Sequence, residues 1–543
     1  MNSKGKIFIG AALPYVNGSL HLGHVSSLIG ADILARYFRL KGNDVLFVSG
    51  SDCHGTPIVV EAEKQNINPI DIVEKYDKEF RETLIDGLGF SYDLFSRTTS
   101  ITHKEVVQDA FLNLLNKGYI YKKNQNLPYC EHCQRFLPDR YVEGWCPKCN
   151  FDNARGDQCD NCGNILDPND LIKPRCKVCS GTPVWRDTEH FFLKLSSFQE
   201  ELINWVKKSE GWRANATNFT ISFLEGGLKD RAITRDSDWG VPIPLEGYNG
   251  KCIYVWFEAV CGYLSISKEW AKLREQKDRW QDYWTSEDVT HYYVHGKDNI
   301  LFHTVIWPAI LLGLGGLHLP SVILSSEYFT YEGKQFSKSR NWGVWLPEFL
   351  ANYEPDTLRY YLVTNGPETA DGNFSWKDYY LRTNSELSGK FGNFVNRVLS
   401  FINKNFQGRI PEGDNKYETD QEKKILESCS NIFKEVGKLI EQGKFREAVK
   451  GVFVFVDDCN KFINDNAPWV AIRSDKGKAG HVLNVCVQAI SALQVVLNPF
   501  LPFSTEKIKK QLNNANLSTG WQYYPVKAEQ KIGEVFPIYK KAE

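Results

Sequence analysis

The sequence predicts an α/β chain: a doubly wound parallel sheet, split by a cysteine-rich insertion and followed by an all-α helical bundle. Three observations predict it. The first fifty residues run strand, turn, helix, strand, an order that implies parallel pairing. Four C-x-x-C pairs then fall within fifty residues and interrupt the α/β pattern. From about residue 383 strand signals nearly vanish and helical periodicity takes over.

In chain order, residues 6–13 read as a buried strand, and 14–19 as a turn around Asn17-Gly18. An amphipathic helix follows over about 21–40, closed by Lys41-Gly42. A second strand, 44–49, stops at Gly50-Ser51-Asp52. Helical stretches continue to about 116. Residues 121–187 are dominated by Cys, Pro, Gly, Asn and Asp. Regular character returns at 253–257, 292–295 and 322–326, and 333–341 is a polar loop rich in Lys and Ser. Helices are expected at 384–405, 421–442, 445–465 and 479–497, with no repeat of solenoid period. The expected divisions are 1–118 and 236–328 for the two halves of the sheet domain and 119–235 for the insertion. A connecting region at 329–382 and a helical domain at 383–543 complete them.

The chain has 543 residues, of which 42% are hydrophobic and 24% charged, enough for a sizeable core. A formal net charge of -1 gives no global basic field, so any nucleic-acid contact rests on local patches and stacking side chains. The N-terminus shows no secretory apolar region, and the longest apolar stretch, near 305–319, is too short to cross a bilayer. The expected compartment is the cytoplasm. There the C-x-x-C pairs favour metal over disulfides. Eight thiolates make two closed tetrahedral sites, through sequential or nested pairing of Cys130/Cys133, Cys146/Cys149, Cys159/Cys162 and Cys176/Cys179.

The chemistry gathers in two distant segments. His21 and His24 share one face at the start of the first helix, at the carboxyl edge of the sheet. A helix N-terminus suits phosphate, and Gly23 leaves room for a flat ring. Taken alone, His21-Leu22-Gly23-His24 is equally a pair of histidines capping a helix. Ser337-Lys338-Ser339 lies in a loop after the last strand, where a lysine can swing onto a leaving pyrophosphate. Asp52 ends the second strand and can pair with an ammonium group. Aromatic runs surround Trp256, Tyr263, Phe302 and His303. In the helical region Asn393 and Arg397 stand at i, i+4, and Trp469 follows a proline near a helix break.

Together, His21 to His24 with Ser337 to Ser339 resemble the two signatures of class I aminoacyl-tRNA synthetases. The run from Ala12-Leu13-Pro14-Tyr15 to His24 resembles the methionine-specific branch. That resemblance covers nearly the whole chain and implies a Rossmann-type catalytic domain, a zinc-binding insertion and an anticodon-binding bundle. It implies His21, His24 and Lys338 in catalysis, and Gly23, Lys297, Asp298, Ser337, Lys338 and Ser339 around ATP. Leu13, Trp256, Ala259, Tyr263, Phe302 and His303 would surround the methionine side chain, with Tyr15 and Asp52 at its backbone end. Asn393, Arg397 and Trp469 would read the anticodon. The resemblance favours nested zinc sites: 146, 149, 159 and 162 inside 130, 133, 176 and 179. It further implies Mg2+ with ATP, and tRNA(Met), ATP and L-methionine as partners without a membrane. The absence of an appended β-barrel leads to the expectation of a monomer. Two departures stand out: Gln335-Phe336 occupies the usual Lys-Met places, with Lys334 one step earlier, and Val260 stands where bacterial members carry Pro. Rival readings are a cofactor-making H-x-G-H adenylyltransferase, the cysteine-specific synthetase, and a non-catalytic zinc-bearing RNA-binding protein.

Overall fold

The structure is a computed structural model describing residues 5–137, 141–156, 158–159, 161–164, 166–337, 341–514 and 516–542. Strand β1, Lys6–Ala11, is apolar and almost wholly buried, as a strand covered on both faces must be. Helix α1, Leu22–Lys41, follows and ends on Gly42 in the left-handed region. β2, Asp44–Ser51, and β3, Leu94–Arg97, complete the first half, and α2, Ile101–Asn116, leads out of it. The insertion is framed by two long antiparallel strands, β4, Ile120–Cys130, and β5, Val184–Leu193. The second half carries the short helix α3, Val255–Glu258, then α4, Gly262–Leu273. β6, Val289–Gly296, and β7, Val322–Ser326, follow.

The five-stranded sheet has the order β7-β6-β1-β2-β3, and every pair is parallel. The chain moves outward from β1 to β3 on one side, then returns through β6 on the other. The order therefore reverses between β1 and β6, and the crevice beyond their carboxyl ends is where such sheets bind ligands. Ala12 N–H donates to Val294 O at 3.0 Å across this junction, so the segment carrying Leu13 and Tyr15 leaves the sheet beside Lys297 and Asp298.

The helical region holds α5, Asn393–Asn405, α6, Asp420–Glu441, α7, Phe445–Asn466, and α8, Lys476–Val496. α8 is long and apolar enough to cross a membrane by length and composition, but its apolar window is 94% buried among the other helices. Residues 516–542 pack back as a tail without helix. Trp521 donates to Phe433 O at 2.8 Å through Nε1 and to Leu40 O at 2.7 Å through its amide, stapling the bundle to the end of α1.

Candidate active site

The two signature segments meet. His21 precedes α1 and pairs in antiparallel fashion with Trp345. Leu22 N–H donates to Val344 O at 3.2 Å, and Leu346 N–H to Leu20 O at 2.8 Å. Ser337 exchanges backbone hydrogen bonds with Trp342 at 2.8 and 2.9 Å. Lys338 and Ser339 lie outside the described residues. The first turn of α1 contains no carboxylate, so its dipole is left to an anion. His24 Nδ1 accepts the His21 N–H at 3.1 Å, which puts the imidazole proton on Nε2, a donor suited to a phosphate oxygen. A Cβ at Gly23 would come within 3.0 Å of the His21 ring, so no larger residue fits there undisturbed. Of the two departures, Phe336 packs on His21. Lys334 instead holds its ammonium 5.2 Å from the Trp342 ring.

The aromatic runs form a slot. Trp256 on α3 meets Phe302 edge to face at 4.8 Å. Tyr263 is buried on α4, and its hydroxyl lies 2.7 Å from His303 Nε2. His303 Nδ1 is 2.8 Å from Asn299 O and must donate to it, so Nε2 accepts the Tyr263 proton. Burial pulls His303 down to about 4, so this tautomer is neutral. His295 stacks on it at 4.1 Å and is held well below its ordinary pKa, first by burial and then by His303. Phe302 and His303 begin a π-helical turn, Phe302–Ile306, a distortion frequent at functional sites. Gly10 makes the slot possible, since a Cβ there would sit 2.8 Å from the Tyr263 ring. Leu13 fills the space beside Gly262, and half-buried Ala259 lies between Trp256 and Tyr263 in the chain.

Asp52 and Tyr15 pair as an isolated parallel bridge just past the ends of β2 and β1. Asp52 is buried, and burial pushes its carboxyl well above the usual carboxylate range. The nearby Glu258 charge adds to the rise, while the His54 N–H opposes it. A substrate ammonium would relieve that imbalance. Lys297 bonds Glu327 at 2.8 Å and Asp371 at 3.1 Å. Burial works against its charge, but these two carboxylates outweigh that and raise its pKa. Asp298 accepts the Tyr328 hydroxyl at 2.6 Å. Sequence reasoning missed Glu258, His54 and His103, which bond one another behind Asp52. His54 stands two residues past Asp52 and Glu258 two past Trp256, whereas only a register of buried polar positions could have flagged His103.

The cysteines fall into two nested sets, Cys130, Cys133, Cys176 and Cys179 and Cys146, Cys149, Cys159 and Cys162, each with its sulfurs within 4.8 Å of one another. Sequential pairing is excluded. Sulfur pairs lie at 3.5 and 3.8 Å in the outer set and at 3.8 and 3.6 Å in the inner one. A tetrahedron with metal–sulfur bonds of about 2.3 Å has edges of about 3.8 Å, so both sets fit a thiophilic metal.

In the helical region Arg397 lies 4.8 Å from the Trp469 ring and donates to Asn464 at 2.9 Å, while Asn393 is exposed one turn earlier. Trp469 follows Ala467, whose left-handed backbone breaks α7, and is 37% exposed. The three residues singled out in the sequence therefore occupy one accessible face.

A reversed-order parallel sheet, a His-x-Gly-His helix start at its carboxyl edge and Phe336, just before the second signature, stacked on that start define a class I aminoacyl-tRNA synthetase. The family model "tRNA synthetases class I (M)" matches residues 7–399, and "Anticodon binding domain of methionyl tRNA ligase" matches 410–536. A methionine–tRNA ligase of Bacillus cereus is 47% identical over 540 residues, covering 99% of this chain and 97% of the relative. One from Bacillus mycoides is 46% identical over the same span. Methionyl-tRNA synthetase of Mycobacterium tuberculosis, solved with methionyl-adenylate, shares the fold at TM-score 0.81 and 23% identity. That match covers 98% of this chain and 99% of that one. The chain belongs to the methionyl-tRNA synthetase family.

Proposed function

We propose that this chain is a methionine–tRNA ligase. It activates L-methionine with ATP to methionyl-adenylate and transfers the methionyl group to the 3′ end of tRNA(Met), initiator tRNA included. The observation that carries the proposal is the backbone bridge between His21 and Trp345, which ties the first signature to the segment that follows Ser337.

Methionine enters with its thioether between Trp256, Phe302, Tyr263, Leu13, Ala259 and His303, an apolar slot that suits a flexible, polarisable side chain. Asp52 and Tyr15 hold its ammonium end. The carboxylate then attacks the α-phosphate of ATP in line, and pyrophosphate leaves. His24 Nε2, His21 and the N-terminus of α1 receive the phosphates, with Gly23 admitting the adenine and Lys297 and Asp298 flanking the nucleotide. Lys338, between Ser337 and Ser339, meets the charge that grows on the leaving pyrophosphate. Mg2+, when bound with ATP, would neutralise further phosphate charge. A terminal tRNA hydroxyl next attacks the adenylate carbonyl and releases AMP. No protein nucleophile takes part, so the protein contributes positioning and electrostatics.

Asn393, Arg397 and Trp469 are assigned to the anticodon, the indole as a stacking platform. The two thiolate sets are assigned one structural zinc each. A monomer in the reducing cytoplasm suits both assignments. Amino-acid-dependent ATP–pyrophosphate exchange across a panel of amino acids tests the function: methionine alone should support rapid exchange. Exchange with cysteine, or with none of the panel, would overturn it.

A further inference from the structure

Glu258 is fully buried at the end of α3, two residues past Trp256. One carboxylate oxygen lies 3.0 Å from His54 Nδ1 and the other 2.5 Å from His103 Nε2. His103 reaches on from α2 to the Ser265 hydroxyl of α4 at 2.8 Å. His54 follows Asp52 by two residues, and its backbone N–H faces the Asp52 carboxylate at 3.5 Å. The ring of Trp239 stands edge-on to His54, and its Nε1 donates to Cys53 O at 2.9 Å. The cluster therefore ties the end of β2 to α2, α3 and α4, immediately behind the methionine slot.

A buried carboxylate is costly, and a mere structural staple would be served as well by an uncharged pair. This one has two histidine partners, one of them the His54 whose N–H faces Asp52, and its charge adds to the rise of the buried Asp52. Two such carboxylates resist ionising together. Burial opposes the Glu258 charge, but His54 and His103 outweigh it and hold Glu258 down at about 2. Asp52, with no such clasp, is the member whose charge is the harder to hold without a cation.

We propose that Glu258, clasped by His54 and His103, is a positioning residue for methionine: it fixes the strand end that aims Asp52 at the substrate ammonium. The proposal rests on the reading of Asp52 as the ammonium partner. Glu258 also sets when Asp52 takes its charge. An ammonium needs the ionised Asp52, so methionine affinity falls as the solution becomes acid enough to protonate it. The titratable groups packed around the pair are Cys53 and His54 after β2, Asp77 on the helix Pro69–Arg81, His103 on α2, and Cys261 after α3.

The test measures binding to the full chain from mildly acid to mildly alkaline pH. The ligands are methionine, methioninol (ammonium without carboxylate), the desamino analogue of methionine (carboxylate without ammonium) and ATP. Glu258→Gln should weaken methionine and methioninol about tenfold at the alkaline end, leaving the desamino analogue and ATP within about twofold. Removing the Glu258 charge should also move the acid limb of methionine binding to lower pH. Glu258→Asp, which keeps the charge, should leave that limb in place while still weakening the two ammonium ligands. An unmoved limb in Glu258→Gln, or equal weakening of all four ligands, overturns the proposal. Should Glu258→Gln fail to fold, Glu258→Asp decides alone: selective weakening of the ammonium ligands supports the proposal, and anything else overturns it. Asp52→Asn separates the two readings. If it binds methionine like the parent, the assignment of Asp52 is wrong. If it fails to bind and Glu258→Gln binds normally, only the role of Glu258 is wrong.

Discussion

Phe336 lies flat on His21, with ring centroids 4.4 Å apart and planes 3° from parallel. The ring occupies space left by two glycines, since a Cβ at Gly23 would approach it to 3.2 Å and one at Gly343 to 3.0 Å. The start of the signature loop is thus held to the signature helix by a stacked pair. An aromatic pair adds about 0.5–1.5 kcal/mol beyond its buried area, up to about a tenfold effect. Phe336→Ala should lower methionine-dependent pyrophosphate exchange about tenfold, and Phe336→Met should hold it within about threefold. Unchanged exchange in Phe336→Ala would show that the stack does not organise the loop.

Buried neutral histidines set the acid stability of the catalytic domain. Burial lowers His291 to about 3 and His303 to about 4, and His295 lies well below its ordinary value. Their unfolded value is 6.5, so the unfolded chain takes up protons first as pH falls. Stability is complete above 6.5 and declines toward 4, by about 1.4 kcal/mol per pH unit for each histidine. Asp32, lowered to about 2, works over a different window, since its contribution is lost only below its unfolded value of 3.8. Urea unfolding between these limits should show the decline, and His291→Gln should remove about one proton's worth of slope. A flat profile would mean that these imidazoles are charged in the fold.

Much of this was legible before any coordinates. Residues 322–326 were expected as a strand and are β7, and the expected helix at 421–442 is α6 displaced by one residue. Those segments carry unbroken apolar periodicity. β4 was hidden because its exposed positions are Lys and Asn, and its pairing with β5 closes across the whole cysteine module. Trp256 falls on a short helix, and nothing local in its sequence distinguishes the four-residue α3 from a strand. The Cys spacing revealed metal sites but left their pairing open; the resemblance favoured nesting, and the sulfur groupings bear it out. Glu258 with His54 and His103 was illegible for another reason. Its members are separated by 204 and 155 residues, and a buried ionisable cluster leaves no periodic trace.

Metal content should follow the nesting. Each thiolate set closes a different span, and metal-binding energy in such modules is folding energy. The inner set organises only the tip around 146–162. The outer set ties Cys130, at the end of β4, to the strand Ile172–Cys176. Elemental analysis should return two zinc ions per chain, and Cys159→Ser should lose one while retaining most exchange activity. Cys176→Ser should lose at least one and also loosen β4 and β5, read as faster amide exchange along both strands. Equal damage from the two variants would show that the sets fold as one unit.

Trp469 separates the two half-reactions. It lies on the helical domain, under the Arg397 guanidinium at 4.8 Å, and takes no part in the slot or the signatures. Base stacking is worth about 1–3 kcal/mol, so Trp469→Ala should reduce tRNA charging about tenfold to a hundredfold. Pyrophosphate exchange should not change. Parallel loss of both activities would make the indole structural.

Arg359 and Asp32 form an ion pair at 2.7 Å with both side chains fully buried. Arg359 also donates to Leu88 O at 3.1 Å, Pro499 O at 3.0 Å and Phe500 O at 2.9 Å. One guanidinium therefore joins α1, the turn before β3 and the loop after α8, the junction between sheet and bundle. Asp32 has a second partner in Arg36 at 2.8 Å, so losing Arg359 does not leave its charge wholly unpaired. Three carbonyls would nonetheless lose their donor. Arg359→Leu should destabilise the fold by about 3 kcal/mol, near the low end for breaking a buried pair. Adding Asp32→Asn should restore little, because the carbonyls stay unsatisfied whatever the charge on Asp32. Full restoration in the double variant would instead assign the cost to the stranded carboxylate. Comparing urea midpoints of the two singles and the double decides between carbonyl satisfaction and charge pairing at this junction.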